Sequence, residues 1–206
     1  MTGPVASPDP ELRHAPLAEL QRLDFRSAAR DPWADEAALW ARLLALLDDL
    51  PPDAWDAPIS TSDAGGPDWT LLDHVAHLAA WQEEAEGYVG RALAGRGWPR
   101  DEDYGDFDAF NEGLRTTWAE LRPADVRTRL LASHGRLLAL ARRVPPADLR
   151  AAGWEWVFFG LHGHVLDHLA ALEPAVERVR AGAAQVGAAP GEGAAGAAAR
   201  GVGSER

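Results

Sequence analysis

Two histidines four residues apart, His164 and His168, are the side chains of this chain best placed to bind a metal ion. On a helix, residues at this spacing project from one face a turn apart, so both imidazoles can chelate one ion. The same face carries Leu161, Val165 and Leu172, which makes it an apolar stripe. A histidine pair on such a stripe can equally be two core residues with hydrogen-bond partners, so the pair needs further ligands before it defines a site.

The best third ligand is His77, which the sequence places on another apolar helix. His74, one turn earlier on that helix, is the alternative. Three neutral imidazoles suit zinc, nickel or another borderline divalent ion and leave one coordination position open. A water in that position would be acidified towards neutral pH, and a bound thiol would be held as thiolate. Asp73 or Asp167 could orient a ligand histidine by accepting its other N–H.

The remaining chemically interesting side chains have structural interpretations. His14 lies in a proline-rich segment and is predicted to be solvated. His134 is predicted at the surface or rim of a third helix, and His162 lies off the face of the histidine pair. Trp81, one turn after His77, is predicted to be a core residue, with a pocket wall as the alternative. A run of carboxylates without the spacing of a calcium-binding loop is predicted to be a solvated acidic loop. It comprises Asp101, Glu102, Asp103, Asp106 and Asp108.

The composition argues against several classes of function. The net charge is −12 and no basic stripe is present, which argues against nucleic acid and anionic membranes as partners. The chain has no cysteine, so disulfides, thiolate ligands and a cysteine nucleophile are excluded, and thiol chemistry would need an external thiol. There is no signal-peptide pattern and no apolar window of about 20 residues, so we expect a cytoplasmic protein.

The apolar residues are mainly leucine and alanine, and no long alternating pattern predicts a strand, so we expect an all-α fold. Four long helical regions with long connecting loops predict a four-helix bundle. Pro174 predicts a kink or an early end of the last helix. The aromatic run over residues 151–160 is predicted to be a packed loop. The helical regions are 31–50, 69–94, 109–143 with a division at Pro123, and 160–181.

The two ends of the chain differ from the bundle in composition. Residues 1–30 are rich in proline near their start and are predicted to be extended or disordered, with one short helix over residues 17–29. Residues 182–206 are rich in glycine and alanine and are predicted to be a disordered tail. The folded domain is therefore predicted to span residues 31–181.

The helix that contains His77 opens with Trp69 and Thr70, and His77 follows eight residues after the tryptophan. This pattern resembles the second-helix signature of the DinB-like four-helix bundle superfamily. In that superfamily the histidine at this position is a metal ligand, and two more ligands come from an H-x3-H arrangement on the last helix, which His164 and His168 match. The resemblance therefore implies a metal site formed by His77, His164 and His168.

The resemblance covers roughly residues 34–179 in layout and implies the bundle fold and a divalent-metal site, and it allows a homodimer. The superfamily includes YfiT-like hydrolases, thiol-dependent maleylpyruvate isomerases and ClbS/DfsB-type proteins, and the last group acts without the three histidines. The first hypothesis is an enzyme that uses the ion for transfer or isomerisation with a low-molecular-weight thiol, or for hydrolysis of a small substrate. The second is a non-catalytic stress-response or ligand-sequestering bundle with a structural metal or none.

Overall fold

The computed structural model of the chain describes residues 10–48, 50–59, 69–97, 105–145, 148–151 and 154–187. Within these ranges the regular structure is helical and no strand occurs, so the predicted all-α class is confirmed. None of the described helices combines the length and the apolar character that crossing a membrane requires. The described α-helices are α1 (Pro10–His14), α2 (Leu17–Leu20), α3 (Pro32–Leu47), α4 (Leu71–Leu93), α5 (Phe107–Arg115), α6 (Pro123–Ala141), α7 (Glu155–Phe158) and α8 (His164–Gly187).

Local sequence fixes where two of the long helices begin. Asp31 precedes α3, and its side chain accepts hydrogen bonds from the backbone N–H groups of Trp33 and Ala34. Such a cap satisfies N–H groups that have no partner inside the helix. Pro123 begins α6, a position at which its missing N–H removes no helical hydrogen bond.

The start of α4 is held both by its own side chains and by the loop before it. Thr70 and Asp73 form a capping box, in which each side chain accepts a hydrogen bond from the other residue's backbone N–H. Residues 57–59 pair with residues 69–71 through two backbone hydrogen bonds of 2.8 and 3.1 Å. This pairing fixes Trp69 immediately before the helix that carries two of the histidines.

Helix α4 lies at the centre of the packing. It shares its most extensive interface with α6 and also contacts α5, α7 and α8. Burying a Leu or Val side chain contributes about 1.5–3 kcal/mol to the stability of the fold. Because α3, α4, α6 and α8 all contribute side chains to one apolar core, this burial holds α4 beside α8. The buried core side chains include Leu39, Leu43, Leu78, Val89, Leu130, Leu137, Leu169 and Leu172.

Several element boundaries differ from the sequence prediction. The short N-terminal helix α2 ends at Leu20 rather than near residue 29. Helix α5 ends at Arg115, and turns rather than helix lead to α6. The aromatic run predicted to be a loop forms α7 and then a π-helical turn over Phe159–Gly163, which continues directly into α8. No partner strand is present in the described residues, so these aromatic side chains pack on the bundle from a helical backbone.

Helix α8 passes through Pro174 and ends at Gly187, so the prediction of an early end is wrong. Proline removes one helical hydrogen bond, but packing beyond it compensates, since Val176 is fully buried. Glu173 accepts two hydrogen bonds, of 2.5 and 2.9 Å, from Arg42 of α3, and this ion pair ties the two helices together. The first residues of the predicted tail are therefore helical, and the rest of that tail lies outside the described residues.

Candidate metal centre

Three histidines from two helices meet in the interior of the bundle. His77 comes from α4, and His164 and His168 lie one turn apart at the start of α8. One ring nitrogen of each lies within 4.8 Å of a ring nitrogen of each of the other two. The three side chains are 3%, 7% and 0% exposed, respectively. The packing of α4 against α8 thus brings together the three histidines that the sequence analysis singled out.

One pair of ring nitrogens in this group is spaced about as two donors to one ion would be. His164 Nε2 and His168 Nε2 are 3.0 Å apart. Two imidazole nitrogens that each lie about 2.0–2.1 Å from one tetrahedral ion are about 3.3 Å apart, close to this separation. The ring of His77 lies 5.0 Å from the ring of His164 and 5.1 Å from that of His168, measured between centroids.

Burial keeps these histidines neutral. Removal from water lowers the pKa of His77 from its ordinary value of 6.5 to about 2 and that of His164 to about 3, and neighbouring histidines act in the same direction. The pKa of His168 is well below the ordinary value for the same reasons. Neutral imidazole is the form that binds metal ions. At neutral pH the group therefore offers three uncharged nitrogen donors, which suit zinc, nickel or another borderline divalent ion.

His74, the alternative third ligand of the sequence analysis, lies beside the three-histidine group. Its Nδ1 is 3.0 Å from His168 Nδ1, the ring nitrogen that does not face His164. The side chain of His74 is fully buried. Burial lowers its pKa to about 4, although the charge of Asp73 opposes the shift. His74 therefore contacts the outer ring nitrogen of His168 and lies beside the group formed by His77, His164 and His168.

Neither carboxylate considered in the sequence analysis accepts an N–H from a histidine of this group. Asp73 Oδ1 accepts hydrogen bonds from the Trp118 indole at 2.9 Å and from Arg115 at 3.3 Å, while Oδ2 accepts from Thr70. Burial alone would raise the pKa of Asp73, but hydrogen bonds from Thr70 and Trp118 and the charge of Arg115 outweigh it and lower the pKa. Asp167 is exposed and makes no hydrogen bond to a described histidine.

Aromatic side chains cover the three histidines. The ring of Trp81 lies 6.1 Å from that of His77 and 6.0 Å from that of His164. Trp81 also contacts Phe107 and Phe110 of α5, so this short helix forms an outer layer over the centre. Trp81 is itself buried, which makes it a core residue that also borders the histidines.

The π-helical turn sets the orientation of His164. In a π-helical turn, residues five apart lie one above the other on the same face. Phe159 and His164 are five apart, and their rings stack with centroids 4.8 Å apart and planes inclined by 12°. Gly160 allows the turn to approach α4 and α6, because a Cβ there would be 3.0 Å from Ala85 Cβ and from Leu137 Cδ2. This turn was not predicted from the sequence, and the signal that could have revealed it is the pair of glycines, Gly160 and Gly163, within an otherwise helical segment.

Two further histidines are buried away from the centre. His134 stacks on Trp40 with ring centroids 3.5 Å apart, and its Nε2 lies 2.9 Å from Glu36 Oε1. The prediction of a surface or rim position for His134 is therefore wrong, because its partners come from α3, which local sequence does not reveal. His162 donates from Nε2 to the carbonyl of Pro32 at 2.8 Å and does not join the group.

The comparisons with known proteins identify a family for this chain. A family model described as the DinB superfamily matches residues 37–172, about two thirds of the chain. This range contains His77, His164 and His168. No curated protein and no solved structure matches the chain.

Proposed function

Because the chain belongs to the DinB superfamily, we propose that it is a metal-dependent enzyme in which His77, His164 and His168 hold one divalent ion, zinc or nickel. The observation that carries this proposal is the convergence of three buried, neutral imidazoles within 4.8 Å. Packing alone accounts poorly for it, because His77 Nδ1 and His164 Nδ1 are buried without hydrogen-bond partners. A buried unsatisfied polar group costs about 1–3 kcal/mol. An ion bound through His164 Nε2 and His168 Nε2 would not pair these Nδ1 atoms, but its binding energy would offset the cost of burying the three side chains.

The chain's own residues supply the environment of the reaction. When bound, the ion would polarise a substrate group or activate a water or an external thiol. His164 is the most exposed of the three histidines, so a substrate would approach on its side. Trp81 and Phe159 border that histidine and would exclude bulk water from the reacting groups.

The proposed substrate is a small molecule, because the centre is nearly closed by aromatic side chains. The chain has no cysteine, so a thiol-dependent reaction would use an external low-molecular-weight thiol. Transfer or isomerisation with such a thiol is one proposed reaction type, and hydrolysis is the other. The proposal includes a cytoplasmic location and a homodimer. The net charge of −12 supports the absence of nucleic-acid and membrane partners.

The second candidate function is a non-catalytic bundle in which the histidines hold a structural ion. The observation that favours it is burial, since His168 is 0% and His77 is 3% exposed. A structural site is closed by its protein ligands, whereas a catalytic site keeps a position for water or substrate. The two candidates therefore differ in whether an exogenous ligand can reach the ion.

The first prediction concerns metal content. The untagged protein, purified without chelators and reconstituted with zinc or nickel, is expected to hold about one ion per chain by inductively coupled plasma mass spectrometry. The variant His77→Ala is expected to lose most of this metal because two imidazoles from one helix remain. His162→Ala removes a buried histidine outside the group and should retain the ion. A wild-type protein that binds neither metal refutes the proposed function.

Substitution with cobalt distinguishes the enzyme from the structural site. The visible spectrum of a cobalt-loaded protein reports the ligands around the ion. In the catalytic case, addition of a small thiol or of azide changes this spectrum, and a thiol-transfer and hydrolase panel then identifies the reaction. An unchanged spectrum with both additions would favour the structural candidate.

A further inference from the structure

The imidazole of His168 has one neighbour at each ring nitrogen. Its Nε2 lies 3.0 Å from His164 Nε2, and its Nδ1 lies 3.0 Å from His74 Nδ1. The side chain is 0% exposed, so no solvent competes for either nitrogen. The protonation pattern of His168 is therefore set by its two histidine neighbours.

A neutral imidazole has one N–H and one lone pair, so the two contacts of His168 are coupled. If His74 donates to His168 Nδ1, the proton of His168 lies on Nε2 and points at His164, where it would block an ion. If His74 instead accepts from His168 Nδ1–H, the lone pair of His168 Nε2 is free. Only this second arrangement lets His164 and His168 both bind an ion through Nε2.

The other two histidines of the group lack such a contact. His77 Nδ1 and His164 Nδ1 are buried and have no hydrogen-bond partner in the described residues. Metal-bound histidines usually donate their second N–H to a carboxylate or carbonyl, and losing that partner typically weakens metal binding 10- to 100-fold. The contact between His74 and His168 is therefore the one hydrogen bond within the described residues that could perform this task.

The nearest carboxylate does not replace it. Both oxygens of Asp73 are engaged, by Thr70 on one side and by Trp118 and Arg115 on the other. His74 follows Asp73 directly on α4 and packs edge-on against Trp69, with ring centroids 5.5 Å apart at 72°. The indole of Trp69 and the fixed start of α4 thus hold the His74 ring against His168.

We propose that His74 is a positioning residue, which accepts a hydrogen bond from His168 Nδ1 and so holds His168 in the tautomer that binds the ion through Nε2. This inference rests on the proposed function, because the tautomer matters only if the three histidines bind an ion. His74 itself does not coordinate the ion. It acts through His168, and its effect appears in metal affinity and in the position of one proton.

Two substitutions of His74 distinguish its role as a hydrogen-bond acceptor from its role in filling space. His74→Asn places a side-chain oxygen roughly where Nδ1 was, so it can still accept from His168. His74→Leu fills the cavity without an acceptor. The dissociation constant for zinc, measured by competition with a chromophoric chelator, is expected to rise 10- to 100-fold in His74→Leu and only a few-fold in His74→Asn. Equal zinc affinity of His74→Leu and the wild type overturns the inference.

A spectroscopic measurement on the wild type tests the proton directly and does not depend on how the variants fold. In long-range ¹H–¹⁵N spectra of the zinc-loaded protein, His168 is expected to be protonated at Nδ1. A proton found elsewhere, with zinc bound, overturns the role of His74 but leaves the proposed function intact. A wild type that binds no zinc overturns both, so the two failures are distinguishable.

Discussion

A single carboxylate, that of Asp73, connects three parts of the molecule close to the histidines. It caps α4 through Thr70, accepts the indole N–H of Trp118 and pairs with Arg115 of α5. Its charge is compensated by these partners, which is why the pKa is lowered although burial acts to raise it. Loss of the charge would weaken all three contacts together.

Asp73→Asn is therefore expected to lower the free energy of unfolding by about 1–3 kcal/mol, measured by urea denaturation. Asp125→Asn is the matched control, because Asp125 occupies the same third position of α6 but pairs only with exposed Arg122. The control should lower the free energy of unfolding by much less than Asp73→Asn does, because water screens an exposed ion pair. Equal losses in the two variants would contradict a special role for Asp73.

At the residue scale, the positions of the candidate ligands could be predicted from the sequence where they depend on the spacing of residues within one helix. His164 and His168 had to share a face because they are four residues apart, and the Trp-Thr helix start selected His77 over His74. The contact between His74 and His168 was not predicted, because it depends on how α4 and α8 are rotated against each other. The burial of His134 was missed for a similar reason, since it needs side chains of α3.

At the scale of elements, the join between α7 and α8 is the feature on which the centre depends. The π-helical turn brings Phe159 onto the His164 ring and lets α8 begin at that histidine. Its close approach to the bundle needs a residue without a side chain at Gly160. Periodicity predicted the long helices, because each has an apolar stripe, but a single turn with a different period leaves no repeating pattern to detect.

Gly160→Ala is expected to destabilise the protein by about 1–3 kcal/mol, because the new Cβ would crowd Ala85 and Leu137. Gly135→Ala in α6 is the matched control, since nothing lies within 4 Å of its added Cβ. The control should instead stabilise the helix by about 0.5–1 kcal/mol. Thermal and urea unfolding of both variants measure the difference. Stabilisation of Gly160→Ala would show that the turn has room for a side chain.

At the scale of the whole molecule, the buried histidines link stability to pH. Folding lowers the pKa of His74 to about 4 and of His164 to about 3 from the ordinary 6.5, mainly through burial. Above pH 6.5 neither the folded nor the unfolded state binds the proton. Below it the unfolded chain binds protons that the folded protein does not, so acidification favours unfolding. Each such histidine contributes up to about 1.4 kcal/mol per pH unit.

The free energy of unfolding of the metal-free protein is therefore expected to fall as the pH is lowered from neutral to about 5. Urea denaturation at a series of pH values measures the slope. His74→Leu should give a shallower slope, because one buried histidine no longer takes up a proton on unfolding. His14→Ala removes an exposed histidine and serves as the control. A slope unchanged by His74→Leu would mean that burial does not suppress protonation of His74.

The covering of the histidines by Trp81 and α5 has a consequence for rates. Side chains that are 0–7% exposed leave little room for an ion to pass while the aromatic residues stay in place. Uptake and release would then wait for α5 or the Trp81 ring to move aside, and this opening, rather than diffusion, would set the speed of exchange. If the proposed site binds an ion, the first ion acquired would then be retained for a long time. The metal that the protein carries would then depend on what was available when it folded as well as on intrinsic preference.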